Sequence, residues 1–210
     1  MHARTHEQRG IYEAVLAATI RVMQAMKPGV SWVDMHDLAH RTVAEHLLRL
    51  GYLEGSLDDV CAAQVPDLFM PHGLGHLMGI DTHDVGGIPV GVQKYKSLRM
   101  NRELLKDMCV TVEPGCYFIP PLLNQAFKDE SKAKHLNEAK LRSMFAFGGV
   151  RIEDDVFVTE DGIRLITNVP RTVKEIEAVM SGLLLCPCLR KSARSLQPGC
   201  KRRCLPRLVS

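Results

Sequence analysis

A chain of 210 residues, 46% of them hydrophobic, is long enough for one globular domain with a sizeable core, or for one domain and a tail. It holds no apolar run of about eighteen residues, which excludes a membrane-spanning helix, and its polar start, MHARTHEQRG, lacks the apolar stretch of a secretory leader. The expected setting is therefore cytoplasmic, with the seven cysteines mostly reduced. The net charge of +3 conceals a split: Arg190, Lys191, Arg194, Lys201, Arg202, Arg203 and Arg207 crowd the last thirty residues with no acid among them, and the body before them is acidic. Body and tail read as different kinds of sequence, with a boundary near Ser181: residues 1–181 as the folded part and 182–210 as a basic, cysteine-containing, disordered tail.

Thr5 followed by Gln8 resembles a capping box, and His6 to about Met26 reads as an amphipathic helix with Ile11, Val15, Leu16, Ile20 and Met23 on its apolar side. Pro28 and Gly29 end it. Ser31 is the expected N-cap of a second helix that reaches Leu50 and stops at Gly51, and residues 57–64 read as a short helical turn.

Next comes PHGLGHLMGIDTHDVGG, residues 71–87, with His72, His76 and His83 among five glycines. His72 and His76 have the four-residue spacing of a zinc-binding helix, but Pro71, Gly73 and Gly75 oppose a helix there, and the glutamate of H-E-x-x-H is missing. The glycines instead suggest backbone that something approaches closely. Any one of these histidines alone reads as structural; three within twelve residues, threaded by glycines, read as a site.

Cys109 to Ile119 reads as a strand broken at Pro114–Gly115, with Glu113 at the end of its apolar run. A buried carboxylate is costly unless it is paired or bound to a cation. Leu122 to Met144 reads as a charged, partly helical, exposed excursion. Val150 to Val158 reads as one strand, in which Arg151 is the expected partner of Glu153, and at least one of Glu153, Asp154 and Asp155 must point inward because strand side chains alternate. Asp161–Gly162 signals a turn into a strand from Ile163 to Thr167, and Thr172 with Glu175 opens a closing helix to about Met180. Helices first and hairpin-joined strands later make an α+β fold. One histidine with two glutamates is a hard, oxygen-rich donor set that suits Mn²⁺, Co²⁺ or Fe²⁺ better than a thiolate zinc site does.

HGLGH with HDVGG, then TVEPG, then GGVRIEDDVFVT, in that order, resembles the metallopeptidase family that includes methionine aminopeptidase, aminopeptidase P and creatinase. The details FMPHGLGHLMGIDTHDVGG, SLRM and NVPRTVKEIEAVM are most similar to its Xaa-Pro dipeptidase (prolidase) branch, over about residues 8–181. The resemblance implies a pita-bread fold around a two-metal centre, with Mn²⁺ as cofactor. His76, Glu113 and Glu153 would then be metal ligands. His72 and His83 would line the substrate site, His83 would hydrogen-bond the scissile carbonyl, Glu113 would help to move a proton, and Arg99 would grip the free carboxylate of an Xaa-Pro dipeptide. Hydrolysis would proceed by a metal-activated hydroxide.

The family also places two aspartate ligands and a further histidine before the first helix, where this sequence has no counterpart; no Asp precedes Asp34. The implied protein is a truncated, impaired prolidase with at most one metal well held, in which Glu113 and Glu153 raise one another's pKa. The alternative is a catalytically inactive pita-bread interaction module. A homodimer, or a mixed dimer with a full-length subunit, is the implied assembly. The basic tail is too short a signal for nucleic-acid binding, and Cys186, Cys188, Cys200 and Cys204 lack the paired spacing of a zinc site.

Overall fold

The computed structural model describes residues 6–87 and 95–183. The expected capping residue Thr5 and nearly all of the basic tail lie outside the described residues. The chain divides after Thr167 into two units, taken here one at a time.

The first unit begins with α1 (His6–Ala25) and α2 (Trp32–Arg49). Ile11, Val15, Ala18 and Val22 recur every three or four residues on α1, and Trp32, Met35, Ala39, Val43 and Leu47 do so on α2; all are buried. The two stripes pack in one core, where each fully buried Val or Leu contributes roughly 1.5–3 kcal/mol. The expected apolar side of α1 is corrected at one place: Ile20 is 39% exposed, while Ala14, Ala18 and Val22 face inward. Small residues fill that face because α2 lies close, and a 3.6-residue period makes positions 18 and 22 share a side with 11 and 15. Gly51, with φ of 73°, takes the left-handed turn that ends α2, as Gly29 (φ 84°) does after α1.

A short helix, α3 (Leu57–Ala62), leads into a 3-10 turn at Pro66–Leu68. The glycine-rich segment that follows is laid along β1 (Cys109–Val112). Leu77 bridges Val110, Thr111 N–H donates to the His76 carbonyl and Glu113 N–H to the Leu74 carbonyl.

The long run after β1 continues as β2 (Gly115–Tyr117), in a different sheet. The excursion that follows holds α4 (Pro120–Ala126), α5 (Glu130–Ala133) and α6 (Glu138–Ser143). Its expected exposure is corrected: Leu123, Leu136 and Leu141 are buried in the main core. Leu136 bridges Leu53, and the Lys140 ammonium donates to the Leu50 carbonyl, so the excursion closes the end of α2.

The expected strand from Val150 to Val158 is likewise two strands, β3 (Gly149–Arg151) and β4 (Asp154–Val158). Among the described residues β3 pairs only with β2; β4 pairs with β1 and with β5 (Ile163–Leu165), giving a three-stranded antiparallel sheet in the order β1-β4-β5. Val112 stands opposite Asp154, and Gly115 opposite Arg151. The two runs therefore bend at the same level, one at Glu113–Pro114 and the other at Ile152–Glu153. Proline cannot donate to a ladder, so the ladder breaks there and the facing residues break with it.

The second unit, from Asn168, contains α7 (Val173–Met180). Its expected capping box is present: Thr172 accepts from Glu175 N–H, and the Glu175 carboxylate accepts from Thr172 N–H. Among the described residues no helix is long and apolar enough to cross a membrane.

Candidate metal centre

The common bend in the two runs is where carboxylates accumulate. Glu113 ends β1 and Glu153 precedes β4, so the break in the ladder sets the two glutamates side by side. The segment on the other edge of β1 delivers His76 to the same place. One ligand atom from each of His76, Glu113 and Glu153 lies within 4.8 Å of the other two.

Glycine makes this approach possible. A β-carbon on Gly75 would stand 1.9 Å from the Thr111 carbonyl oxygen, and one on Gly73 would stand 2.7 Å from that of Ser97. The close approach read from the glycines is thus made by the protein's own backbone. Thr111 then serves both neighbours: its buried hydroxyl accepts from His76 N–H at 3.0 Å and donates to Glu113 Oε1 at 3.0 Å.

Glu113 is only 7% exposed. Its second oxygen is held by the Arg151 guanidinium at 2.7 Å, and Arg151 also donates to the Tyr117 hydroxyl. The expected pairing of Arg151 with Glu153 is therefore corrected. Arg151 lies opposite Gly115 on β2, and the bend aims it across the ladder at Glu113 rather than along its own strand. Of the three consecutive acids, the inward one is Asp154, which is buried; Glu153 is exposed. Partial burial of its carboxyl still holds Glu153 above the ordinary carboxylate range, with the nearby Glu113 charge adding to the effect and Arg151 opposing it.

His76 is buried, and its Nδ1 donates to the Leu77 carbonyl at 3.0 Å. Its Nε2 faces Glu113 Oε1 at 3.4 Å. Two acceptors that close repel unless a proton or a metal ion stands between them. First-row ions bind such atoms at about 2.1 Å, so ligand atoms across one ion lie up to about 4.2 Å apart. The observed spread needs only small side-chain rotations to reach that geometry. The donor set, with its outer hydrogen bonds already made, fits a divalent ion.

Around these three lies a cavity of about 350 Å³ lined by His72, His76, His83, Arg99, Glu113 and Arg151, among others. The His83 ring stands edge-on to that of His76, with centroids 4.4 Å apart. His72 donates from Nδ1 to the Gly73 carbonyl, and its Nε2 is buried without a hydrogen-bond partner. Burial holds the His72 pKa below the ordinary histidine value, the Gly73 bond opposing, which keeps the ring neutral. The structure thus brings every residue singled out in the sequence to one place, with Arg99 and His83 on the open side.

Three roles escaped the sequence reading. Thr111 and Arg151 organise Glu113, and a threonine or arginine in a strand carries no signal of that. His40 is buried on α2 four residues after His36, which is also buried. Two histidines at helical spacing on an apolar face were the available signal.

A mixed helix-and-strand fold with this donor set at a break between paired strands marks a class of protein built to hold a metal ion, and sequence comparison names the family. Residues 2–160 match the profile of metallopeptidase family M24, and the chain belongs to that family. It is 53% identical over 183 residues to the Xaa-Pro dipeptidase of Homo sapiens, an alignment covering 85% of this chain and 37% of that one. It is 40% identical over 180 residues to a probable Xaa-Pro aminopeptidase of Botryotinia fuckeliana, covering 84% of this chain and 39% of the relative. Among solved structures it resembles the aminopeptidase of Pseudomonas aeruginosa, with a TM-score of 0.66 and 38% identity over 85% of this chain and 35% of that one. It also resembles aminopeptidase P of Escherichia coli bound to the inhibitor Pro-Leu, with a TM-score of 0.65 and 31% identity, covering 85% of this chain and 35% of that one. The fold is accordingly that of the pita-bread peptidases, and the chain spans little more than a third of the length of the relatives it matches.

Proposed function

We propose that this chain carries one wall of an Xaa-Pro dipeptidase centre and by itself holds one divalent ion, Mn²⁺, through His76, Glu113 and Glu153. The observation that carries this reading is the convergence of those three donors beside a cavity lined by His72, His83 and Arg99. A bound divalent ion supplies Lewis-acid polarisation of a peptide carbonyl and makes hydroxide available near neutral pH.

The chain's own groups would do the rest. His83, on the open side, donates to the carbonyl oxygen as negative charge develops there. The neutral His72 ring offers its free Nε2 to the substrate. Arg99 grips the terminal carboxylate, which limits the substrate to a dipeptide. Glu113, steadied by Thr111 and Arg151, takes up a proton at Oε1 and returns it to the leaving amine.

The two further aspartate ligands of the family have no counterpart in these 210 residues, so this stretch alone binds its ion weakly and turns over slowly. A cytoplasmic setting and assembly as a homodimer or with a longer subunit belong to the same reading. A second reading, a metal-free interaction module, is favoured by one contact: the Arg151 guanidinium already neutralises Glu113.

The test is hydrolysis of Gly-Pro by the purified, folded chain with added Mn²⁺, beside His76→Ala. Turnover that disappears in the variant supports the dipeptidase. Calorimetric Mn²⁺ binding without turnover restricts the reading to a metal site. Neither binding nor turnover in a folded chain leaves the interaction module.

A further inference from the structure

The best-organised polar group outside the metal centre is His40. It lies 5% exposed on the inward face of α2, with Nδ1 3.1 Å from Asp67 Oδ1 and Nε2 3.2 Å from the Met70 carbonyl oxygen. Both partners are acceptors. A neutral imidazole carries one N–H and can donate to only one of them; its other nitrogen would aim a lone pair at an oxygen. Only the doubly protonated ring donates to both, and the Asp67 carboxylate supplies the opposite charge.

We propose that His40 is a positioning residue for the loop carrying His72 and His76, and that it acts as an imidazolium bridging Asp67 and Met70. The inference rests on the reading above only in that the loop carries the proposed ligand His76; its test needs no metal.

The bridge sits where it can act. Asp67 belongs to the Pro66–Leu68 turn, Met70 N–H donates back to Pro66, and the Met70 carbonyl lies two residues before His72. One ring therefore pins both the turn and the start of the glycine-rich loop to a core helix. Downstream, Thr111 N–H and Glu113 N–H donate to the His76 and Leu74 carbonyls, so the placement of the loop is passed directly to β1.

The other charged and titratable neighbours are otherwise engaged. On α2, Asp37 accepts from the Tyr95 hydroxyl and Arg41 is paired with Asp58. The His36 and Tyr95 rings pack on that of His40, with centroids 4.2 and 5.8 Å away. Cys61 of α3 lines the same small cavity of about 250 Å³. Asp67, 39% exposed, lines that cavity as well.

The test uses the metal-free chain labelled with ¹⁵N at histidine. Long-range ¹H–¹⁵N spectra at neutral pH should show one ring with both nitrogens protonated, assigned by its disappearance in His40→Gln and its shift in Asp67→Asn. A neutral-tautomer pattern for that ring, which a proton on Asp67 would give, overturns the proposal. Hydrogen exchange is the second arm. His40→Gln and Asp67→Asn should each speed exchange about tenfold at residues 72–77 and at the Thr111 and Glu113 amides, with α1 unchanged. Uniform acceleration across the chain, or none, refutes a positioning role. If His40→Gln does not fold, Asp67→Asn carries both the assignment and the exchange comparison.

Discussion

Glu113 and Glu153 occupy the same break in the same pair of strands, yet they are held in opposite ways. Glu113 is buried and accepts from Thr111 and Arg151, with His76 alongside. Glu153 is exposed, and its carboxyl sits above the ordinary carboxylate range. One carboxylate is integrated into the fold before any ligand arrives. The other is presented at the edge, where a cation would relieve it. The contrast separates what the site needs in order to fold from what it needs in order to bind.

Four substitutions break or sharpen that contrast, ordered here by their expected effect on stability. Gly75→Ala places a methyl group 1.9 Å from the Thr111 carbonyl and must push the loop off β1. We expect a loss of about 3 kcal/mol in urea unfolding, at the upper end of ordinary overpacking. Glu113→Ala strands the Thr111 hydroxyl and the Arg151 guanidinium. A loss of about 2 kcal/mol is expected, reduced from the cost of a fully buried pair because the Arg151 side chain is 39% exposed. Calorimetry on the same variant should find no Mn²⁺ binding. Thr111→Val removes one shared hydroxyl at constant shape and should cost about 1 kcal/mol, with Thr111→Ser recovering most of it.

Glu153→Gln gives the smallest change in stability and the opposite sign. Because the folded state raises this carboxyl's pKa, its contribution favours folding at low pH and is lost as pH rises through the raised value. Removing the charge should therefore stabilise the metal-free chain at neutral pH, by less than about 1 kcal/mol given its exposure. The same substitution should weaken Mn²⁺ binding by at least about 100-fold, the upper end of what even outer-shell changes cost. If Glu153→Gln destabilised the metal-free chain as much as Glu113→Ala does, the contrast between the two glutamates would collapse.

The sequence was most informative where the physics is local. The ends of α1, α2 and α7 follow from Pro28, Gly51 and the Thr172–Glu175 box, because caps and breakers act over a few residues. The turn at Asp161–Gly162 was visible for the same reason. The bend at Ile152–Glu153 was not: neither residue is a breaker, and the interruption is inherited through pairing from Pro114, nearly forty positions away in the chain. That same inheritance redirected Arg151 from Glu153 to Glu113. The burial of the 120–143 excursion was masked by its surface charges, since Leu123 and Leu141 reach the core from short helices with little periodicity and Leu136 from the link between two of them. Ile20 misled because a large apolar residue outweighed Ala18 in a reading by size. The gathering of His76, Glu113 and Glu153 could not come from spacing at all; the ordered motifs suggested it through resemblance, and the broken ladder provides its physical basis.

Trp32 has an experimental use as well as a structural one. It is the chain's single tryptophan, it opens α2, and it is fully buried in the main core. Its fluorescence is thus an intrinsic optical report on the shared core at the start of α2, shifting to the red when that core opens to water. Metal titrations can be followed by heat while the emission wavelength of Trp32 records whether the core stays closed.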